Sequence, residues 1–333
     1  MSQQARDIIN ARRIIEGPSD KLRAISMNKY PWAREYWKHM LNNTWTPEEV
    51  DLARDVRQYR DGELTEGEKQ MYDRALAFLS NLDAIQLTNL AENVSTHITD
   101  PTIQQCIYRQ VFEEALHVES YSTLVEAMCD DPMVIYDMYR VNPVLKEKND
   151  FVIAQANTMK EDGFSAEQFV YALVANVILE GVYFYSGFLA FYTLARMKKM
   201  LGSANMIKFI QRDEMVHLEV FISMFKALRE ERPELFTEEV LENCRELFRK
   251  AQALESAWGR HIIEGGVLGL TDEIINDYVK FLADDRAQRL GLGALYGAKN
   301  PVEWVDRFSR VNYTEENFFE TKVTSYSKKQ LDW

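Results

Sequence analysis

Glu114-Ala-Leu-His117 and Glu214-Met-Val-His217 carry the same pattern one hundred positions apart. On a helix, residues three apart lie on nearly one face. Each segment can therefore present a carboxylate and an imidazole to a common point. Upstream of each, at a similar remove, lies another acid: Asp83 ahead of Glu114, and Glu180 ahead of Glu214. Glu180 stands inside Val177-Ile178-Leu179-Glu180-Gly181-Val182, and Glu114 is followed by Ala115-Leu116. An acid in an apolar helical segment needs a partner or a metal, because an uncompensated buried charge is costly. One Glu-x-x-His arises by chance in many helical proteins. Two copies with matching upstream acids point to a metal site between four helices.

The six candidate ligands are Asp83, Glu114, His117, Glu180, Glu214 and His217. Four carboxylates balance the charge of two divalent cations, which makes a buried acid cluster tolerable. Oxygen-rich ligation with one imidazole per metal suits iron or manganese better than structural zinc. A Glu from each of two helices joined to a Glu-x-x-His from each of two others is the ferritin-like carboxylate arrangement. Here an Asp takes one of the two single-carboxylate places. Carboxylates can change binding mode as metals are oxidised, so the expected chemistry is O2 activation or another redox step. Tyr121 follows His117 by one helical turn. Beside a redox-active pair it could carry a phenoxyl radical, although a tyrosine on an inward face is commonly plain core. Phe184 and Phe188 follow Glu180 by one and two turns, and Ile210 precedes Glu214 by one. They fit a dry lining around such a radical, and spacing alone fits ordinary core equally well. His39, His97 and His261 have no comparable setting.

The elements that must position these groups are helical. The 333 residues include only 14 Gly and 8 Pro, about half the usual frequency of each. Thr65 and Glu68 form a capping box that opens a helix of about 30 residues carrying Asp83. Asp100-Pro101 supplies an N-cap and first-turn proline for the helix bearing Glu114 and His117, which runs to about Met128. Shorter helices and connections fill 130–163. Ser165 and Gln168 form a second box, opening the helix that carries Glu180 and ends near Leu201-Gly202. Ser203 is the expected cap of the next helix, which bears Glu214 and His217 and ends before Pro233. Thr237 and Thr271 cap two more. No strand pattern of consequence is present. The expectation is an all-α domain over 1–291, with 1–64 as its N-terminal segment, then an irregular tail over 292–333. The tail's terminal Leu331-Asp332-Trp333 needs a groove or a partner.

Net charge is −13, which argues against a general nucleic-acid or anionic-membrane surface. The three cysteines, Cys106, Cys129 and Cys244, form no paired motif, and a reducing cytoplasm is the simplest setting. The N-terminus lacks a secretory apolar region. The apolar stretch nearest to a membrane span, 169–195, is interrupted by Asn176, Glu180 and several tyrosines.

The chain resembles the small, radical-generating beta subunit of class I ribonucleotide reductase over roughly 28–333. The resemblance rests on Asn43-Thr44-Trp45-Thr46-Pro47-Glu48-Glu49, Phe112-Glu113-Glu114-Ala115-Leu116-His117-Val118-Glu119-Ser120-Tyr121, Glu180-Gly181-Val182-Tyr183-Phe184-Tyr185-Ser186-Gly187-Phe188, Arg212-Asp213-Glu214-Met215-Val216-His217-Leu218 and Asn317-Phe318-Phe319-Glu320. It implies an all-α ferritin-like bundle, usually a homodimer. It implies Asp83, Glu114 and His117 on one metal and Glu180, Glu214 and His217 on the other. Tyr121 stands where the family's radical tyrosine is found, with Phe184, Phe188 and Ile210 as its apolar pocket. Trp45 and Asp213 match residues that, with His117, relay an electron and proton outward. Tyr326 matches the tail tyrosine that links this relay to the large catalytic subunit, on which the last residues dock. Members of the family carry two irons, two manganese ions or one of each. They are activated by O2 or a peroxide-level oxidant, in some cases delivered by a flavoprotein. The competing reading is a stand-alone ferritin-like oxidase. It would share the ligands but need neither the relay nor the docking tail.

Overall fold

Thr65 starts the first long helix by the expected box. Its hydroxyl accepts from the Glu68 amide at 3.2 Å, and the Glu68 carboxylate accepts from the Thr65 amide at 2.8 Å. The computed structural model describes residues 3–18, 23–161 and 163–309. In chain order its helices are α1 (Gln3–Ala11), α2 (Pro31–Asn42), α3 (Ala53–Arg60), α4 (Glu66–Asn89), α5 (Ser95–His97), α6 (Pro101–Met128), α7 (Met133–Tyr136), α8 (Met138–Val141), α9 (Pro143–Glu161), α10 (Ala166–Ile178), α11 (Phe184–Arg196), α12 (Leu201–Glu231), α13 (Glu238–Ile262), α14 (Asp272–Arg289) and α15 (Asp306–Ser309). Among the described residues the only β contact is an isolated bridge between Ile15 and Ile98. The fold is all-α, as the composition implied.

Two helix pairs form the centre. α4 packs on α6, and the α10–α11 rod packs on α12; α11 also meets α4, and α6 meets α12. Their facing sides bury Leu76, Leu79, Ile107, Leu124, Phe184, Phe188 and Phe221. Asp100 caps α6, its Oδ1 accepting from the Thr102 and Ile103 amides at 2.8 and 3.0 Å. Thr237 and Thr271 accept from the Val240 and Ile274 amides and so cap α13 and α14.

Both long rods contain a π-helical turn, Leu90–Val94 after α4 and Leu179–Tyr183 between α10 and α11. Such wide turns concentrate at functional sites, and the second contains Glu180. Gly181 sits there because a Cβ would lie 2.8 Å from Arg286 Nε and 3.0 Å from Leu218 Cδ1. The rod from Ala166 to Arg196 is long and apolar enough to cross a membrane. However, 89% of its most apolar window is buried inside the protein, so it reads as a core helix.

Two expectations about α12 are corrected. The preceding rod ends at Arg196 rather than near Leu201, and Ser203 does not act as the cap. Met200 turns the chain in a left-handed conformation at φ 51°. Asp55 of α3 then accepts from the Gly202 and Ser203 amides at 3.1 and 2.6 Å and from the Ser203 hydroxyl at 2.8 Å. A carboxylate from outside the helix thus satisfies its orphan donors. The Ser165 cap of α10 is present as a hydroxyl accepting from the Gln168 amide.

Residues 292–302 carry no helix, a 3-10 turn at Glu303–Val305 leads into α15, and this described part is tied down. Asp284 accepts from the amides of Leu295, Tyr296 and Ala298 at 2.6–2.8 Å, and Val302 and Val305 are buried. Tyr326, the Asn317–Glu320 motif and the terminal Leu331-Asp332-Trp333 lie outside the described residues.

Candidate dinuclear metal centre

The four central helices bring all six candidate ligands together, each fully buried. α4 supplies Asp83, α6 supplies Glu114 and His117, the π turn supplies Glu180, and α12 supplies Glu214 and His217. The ligand atoms fall into two groups, each within 4.8 Å: Asp83, Glu114, His117 and Glu214, and Glu114, Glu180, Glu214 and His217. Glu114 and Glu214 belong to both. The pattern is therefore two single-sided carboxylates, two histidines and two carboxylates placed to bridge. The strict three-and-three division implied by the resemblance leaves out this sharing.

Distances support the same geometry. His117 Nδ1 lies 3.2 Å from Asp83 Oδ1, 3.5 Å from Glu114 Oε2 and 3.0 Å from Glu214 Oε1. His217 Nδ1 lies 2.9 Å from Glu214 Oε2, 3.3 Å from Glu114 Oε1 and 3.8 Å from Glu180 Oε2. Both Nδ1 atoms thus face the carboxylates, and both Nε2 atoms face away. His117 Nε2 is 3.4 Å from Asp213 Oδ2, and His217 Nε2 is 2.9 Å from Glu113 Oε2.

The residues fit a pair of cations. Asp83 Oδ2, Glu114 Oε2, Glu180 Oε2 and Glu214 Oε1 are buried and receive no well-aligned hydrogen bond from the described residues. A cluster of this charge, with an acceptor left over on each carboxylate, needs positive charge at its centre. The metal-free electrostatics show the same demand. Burial pushes Asp83 and Glu180 well above the usual carboxylate range, and neighbouring carboxylates add to the rise. Burial disfavours charge on His117 and His217. Even so, Glu214 and the other surrounding acids outweigh it and hold both imidazoles well above their ordinary range.

Carboxamides hold Glu180 from behind. Gln110 Nε2 donates to its Oε1 at 2.8 Å, and Gln86 Nε2 donates to the same oxygen. Gln86 also donates to Asn176 Oδ1 at 2.9 Å. Oε2 is thereby left pointing at the cluster.

Trp45 is buried and donates its indole N–H to Asp213 Oδ2 at 2.7 Å. Its ring stacks on Phe209 at 5.1 Å and lies 6.4 Å from the His117 ring. Indole, carboxylate and imidazole form a continuous contact from one side of the cluster. Tyr121 is fully buried, and its hydroxyl has no hydrogen-bond partner among the described residues. Burial, then the charges of Asp83, Glu214 and Glu114, push its pKa well above the usual phenol range. Phe184 and Phe188 are fully buried and stacked at 6.2 Å, and Ile210 is fully buried.

The model of the family "Ribonucleotide reductase, small chain" matches residues 24–301. The chain belongs to this family. It is 35% identical to the ribonucleoside-diphosphate reductase subunit beta of Treponema pallidum, covering 98% of this chain and 93% of that protein. It is 34% identical to the protein of the same name from Chlamydia pneumoniae, covering 92% and 90%. Among solved structures it is similar to a ribonucleotide reductase R2 subunit from Clostridium botulinum, with TM-score 0.85, 38% identity, and coverage of 90% and 94%. These likenesses place the ferritin-like fold and the reductase small chain together, and they do not favour a stand-alone oxidase.

For a small chain of this family, the sequence reading missed Glu113, Arg109, Gln110 and Gln86. The signal for Glu113 was available: both motifs read acid-Glu-x-x-His, Glu113-Glu114 in one and Asp213-Glu214 in the other. The glutamines gave none, because a buried amide on an apolar helix looks like any interior polar residue.

Proposed function

We propose that this chain is the radical-generating subunit of a class I ribonucleoside-diphosphate reductase. It would hold two redox-active metals on Asp83, Glu114, His117, Glu180, Glu214 and His217. The observation that carries this reading is the buried four-carboxylate, two-imidazole cluster joined through His117 and Asp213 to Trp45. When bound, an iron or manganese pair activated by O2 or peroxide would supply a one-electron oxidant.

This chain's own residues would do the rest. Asp83 and His117 would hold one ion, Glu180 and His217 the other, and Glu114 and Glu214, which belong to both groups, would serve both. Asp213 accepts from the Trp45 indole and faces the His117 Nε2, so it can take or return a proton as an electron passes between ring systems. Tyr121 keeps its phenolic proton in this setting. Its oxidation would therefore be accompanied by loss of that proton, and among the charged groups Asp83 acts on it most strongly. Phe184 and Phe188 of α11 and Ile210 of α12 are fully buried and would keep water from the radical site. Tyr326 and the terminal residues would continue the relay and dock on the large catalytic subunit, which binds the nucleotide. A cytoplasmic homodimer, with a flavoprotein as one source of oxidant, completes the proposal.

The test is metal quantification with an electron paramagnetic resonance spectrum, followed by a reductase assay with the large subunit. Two ions per chain and activity only in the presence of that partner are expected. A narrow organic signal would assign the oxidant to Tyr121, and a metal-centred multiline spectrum would assign it to the ions. Full reductase activity without metal would refute the proposal.

A further inference from the structure

The two metal-facing histidines are held by an exchange between helices. The acid that precedes the α12 glutamate, Asp213, faces the histidine of α6. The acid that precedes the α6 glutamate, Glu113, faces the histidine of α12, with His217 Nε2 to Glu113 Oε2 at 2.9 Å. Glu113 is itself buried. Its second oxygen accepts from Arg109 Nε at 3.0 Å. The same guanidinium donates to the Met40 carbonyl at 3.1 Å and to the Thr44 hydroxyl at 3.0 Å, beside Trp45.

We propose that Glu113 is the positioning residue of the Glu180–His217 metal position. By accepting from His217 Nε2–H, it fixes the tautomer that turns Nδ1 toward the metal, and Arg109 locks the Glu113 carboxylate in that orientation. A metal-bound histidine whose other nitrogen donates to a carboxylate is both oriented and made a better ligand. The two positions are then unequal by construction. Asp213 is shared with an oxidisable indole, whereas Glu113 is shared with a guanidinium that cannot be oxidised in its place. Among the described residues, the indole joined to a metal-facing histidine through a carboxylate lies on the His117 side.

This inference rests on the dinuclear reading, and the experiment separates the two. Full-length protein is crystallised with manganese(II) at about ten times the dissociation constant, and occupancy is read at each position by anomalous scattering. Two occupied positions in the unaltered chain establish the dinuclear reading, and a single ion would overturn both claims. In Glu113→Leu, loss of a residue hydrogen-bonded to a ligand is expected to weaken the ion at Glu180–His217 about 10- to 100-fold. Its occupancy should fall from about 90% to between about 50% and about 10%, with the Asp83–His117 position unchanged. Glu113→Gln keeps an acceptor for Nε2–H and should restore occupancy to within about threefold of the original affinity. If the leucine variant does not fold, Arg109→Gln is expected to move the same position in the same direction. Unchanged occupancy in the variants, equal loss at both positions, or equal loss in the glutamine and leucine variants would overturn the inference.

Discussion

The sharing of Glu114 and Glu214 between the two ligand groups makes a quantitative prediction about stability. An ion present at about 100 times its dissociation constant stabilises the folded state by about 2.7 kcal/mol, and two independent ions by about 5.4 kcal/mol. Unfolding entropy near the midpoint is about 2.1 cal/mol/K per residue, so a chain of 333 residues carries about 0.7 kcal/mol/K. Two ions should therefore raise Tm by about 8 °C over chelator-treated protein, and one by about 4 °C. Asp83→Asn and Glu180→Gln each remove a carboxylate that serves one side, and each should keep about half of the metal-induced rise. Glu114→Gln and Glu214→Gln each remove a carboxylate serving both sides, and the rise should fall close to zero. The assay is differential scanning calorimetry in excess EDTA and then in manganese(II). If all four variants kept the same half response, the shared-carboxylate geometry would be wrong. No response in the unaltered chain would remove the metal site altogether.

Other expectations follow from single contacts. Trp45→Phe keeps a ring against Phe209 but removes the hydrogen bond to Asp213, a charge-assisted bond worth about 1.5–3 kcal/mol. Turnover with the large subunit should fall at least about tenfold while manganese stoichiometry stays at two, and undiminished turnover would sink the relay assignment. Asp55→Ala removes the carboxylate that caps α12, and urea unfolding should report a loss of about 2 kcal/mol; a loss below about 0.5 kcal/mol would show that water caps the helix equally well. Buried Lys148 pairs with Glu255 and lies over the rings of Phe78 and Tyr183; burial depresses its pKa to about 8. Lys148→Met strands a buried acid and should cost about 3–5 kcal/mol, whereas the double change with Glu255→Leu should recover most of that. Simple additivity in urea titrations would refute the coupling.

The helices and most of their starts were legible because Thr65, Asp100, Thr237 and Thr271 act locally, each bonding an amide two or three positions on. The cap of α12 was not. Its carboxylate comes from Asp55, on a helix far upstream in the chain, and a local reading assigned the task to the nearest hydroxyl, Ser203. The six cluster residues were legible because a repeated spacing of acids and histidines on helices is improbable without a shared centre. That Glu114 and Glu214 belong to both ligand groups was not legible, since it depends on how α6 and α12 face each other. The π turn at Glu180 was equally hidden: Leu179–Tyr183 has the composition of an ordinary helix, and only the close approach of Leu218 and Arg286 to Gly181 marks it out.

The exchange between α6 and α12 also explains why those helices must be fixed so firmly at their ends. Glu113 on α6 holds His217 on α12, and Asp213 on α12 faces His117 on α6. A slide of one helix past the other by a single position is about 1.5 Å. Taken across a contact of 2.9 Å, an axial shift of that size lengthens it to about 3.3 Å, just past the favoured N–H···O range. Both contacts of the exchange would lengthen in the same slide, so together they favour the register seen. The Asp100 and Asp55 carboxylates cap the starts of α6 and α12, so each helix begins at a defined residue. The metal ligands can then be carried on helix interiors, where side chains are most rigid, while the adjustment needed for Glu180 is confined to one wide turn.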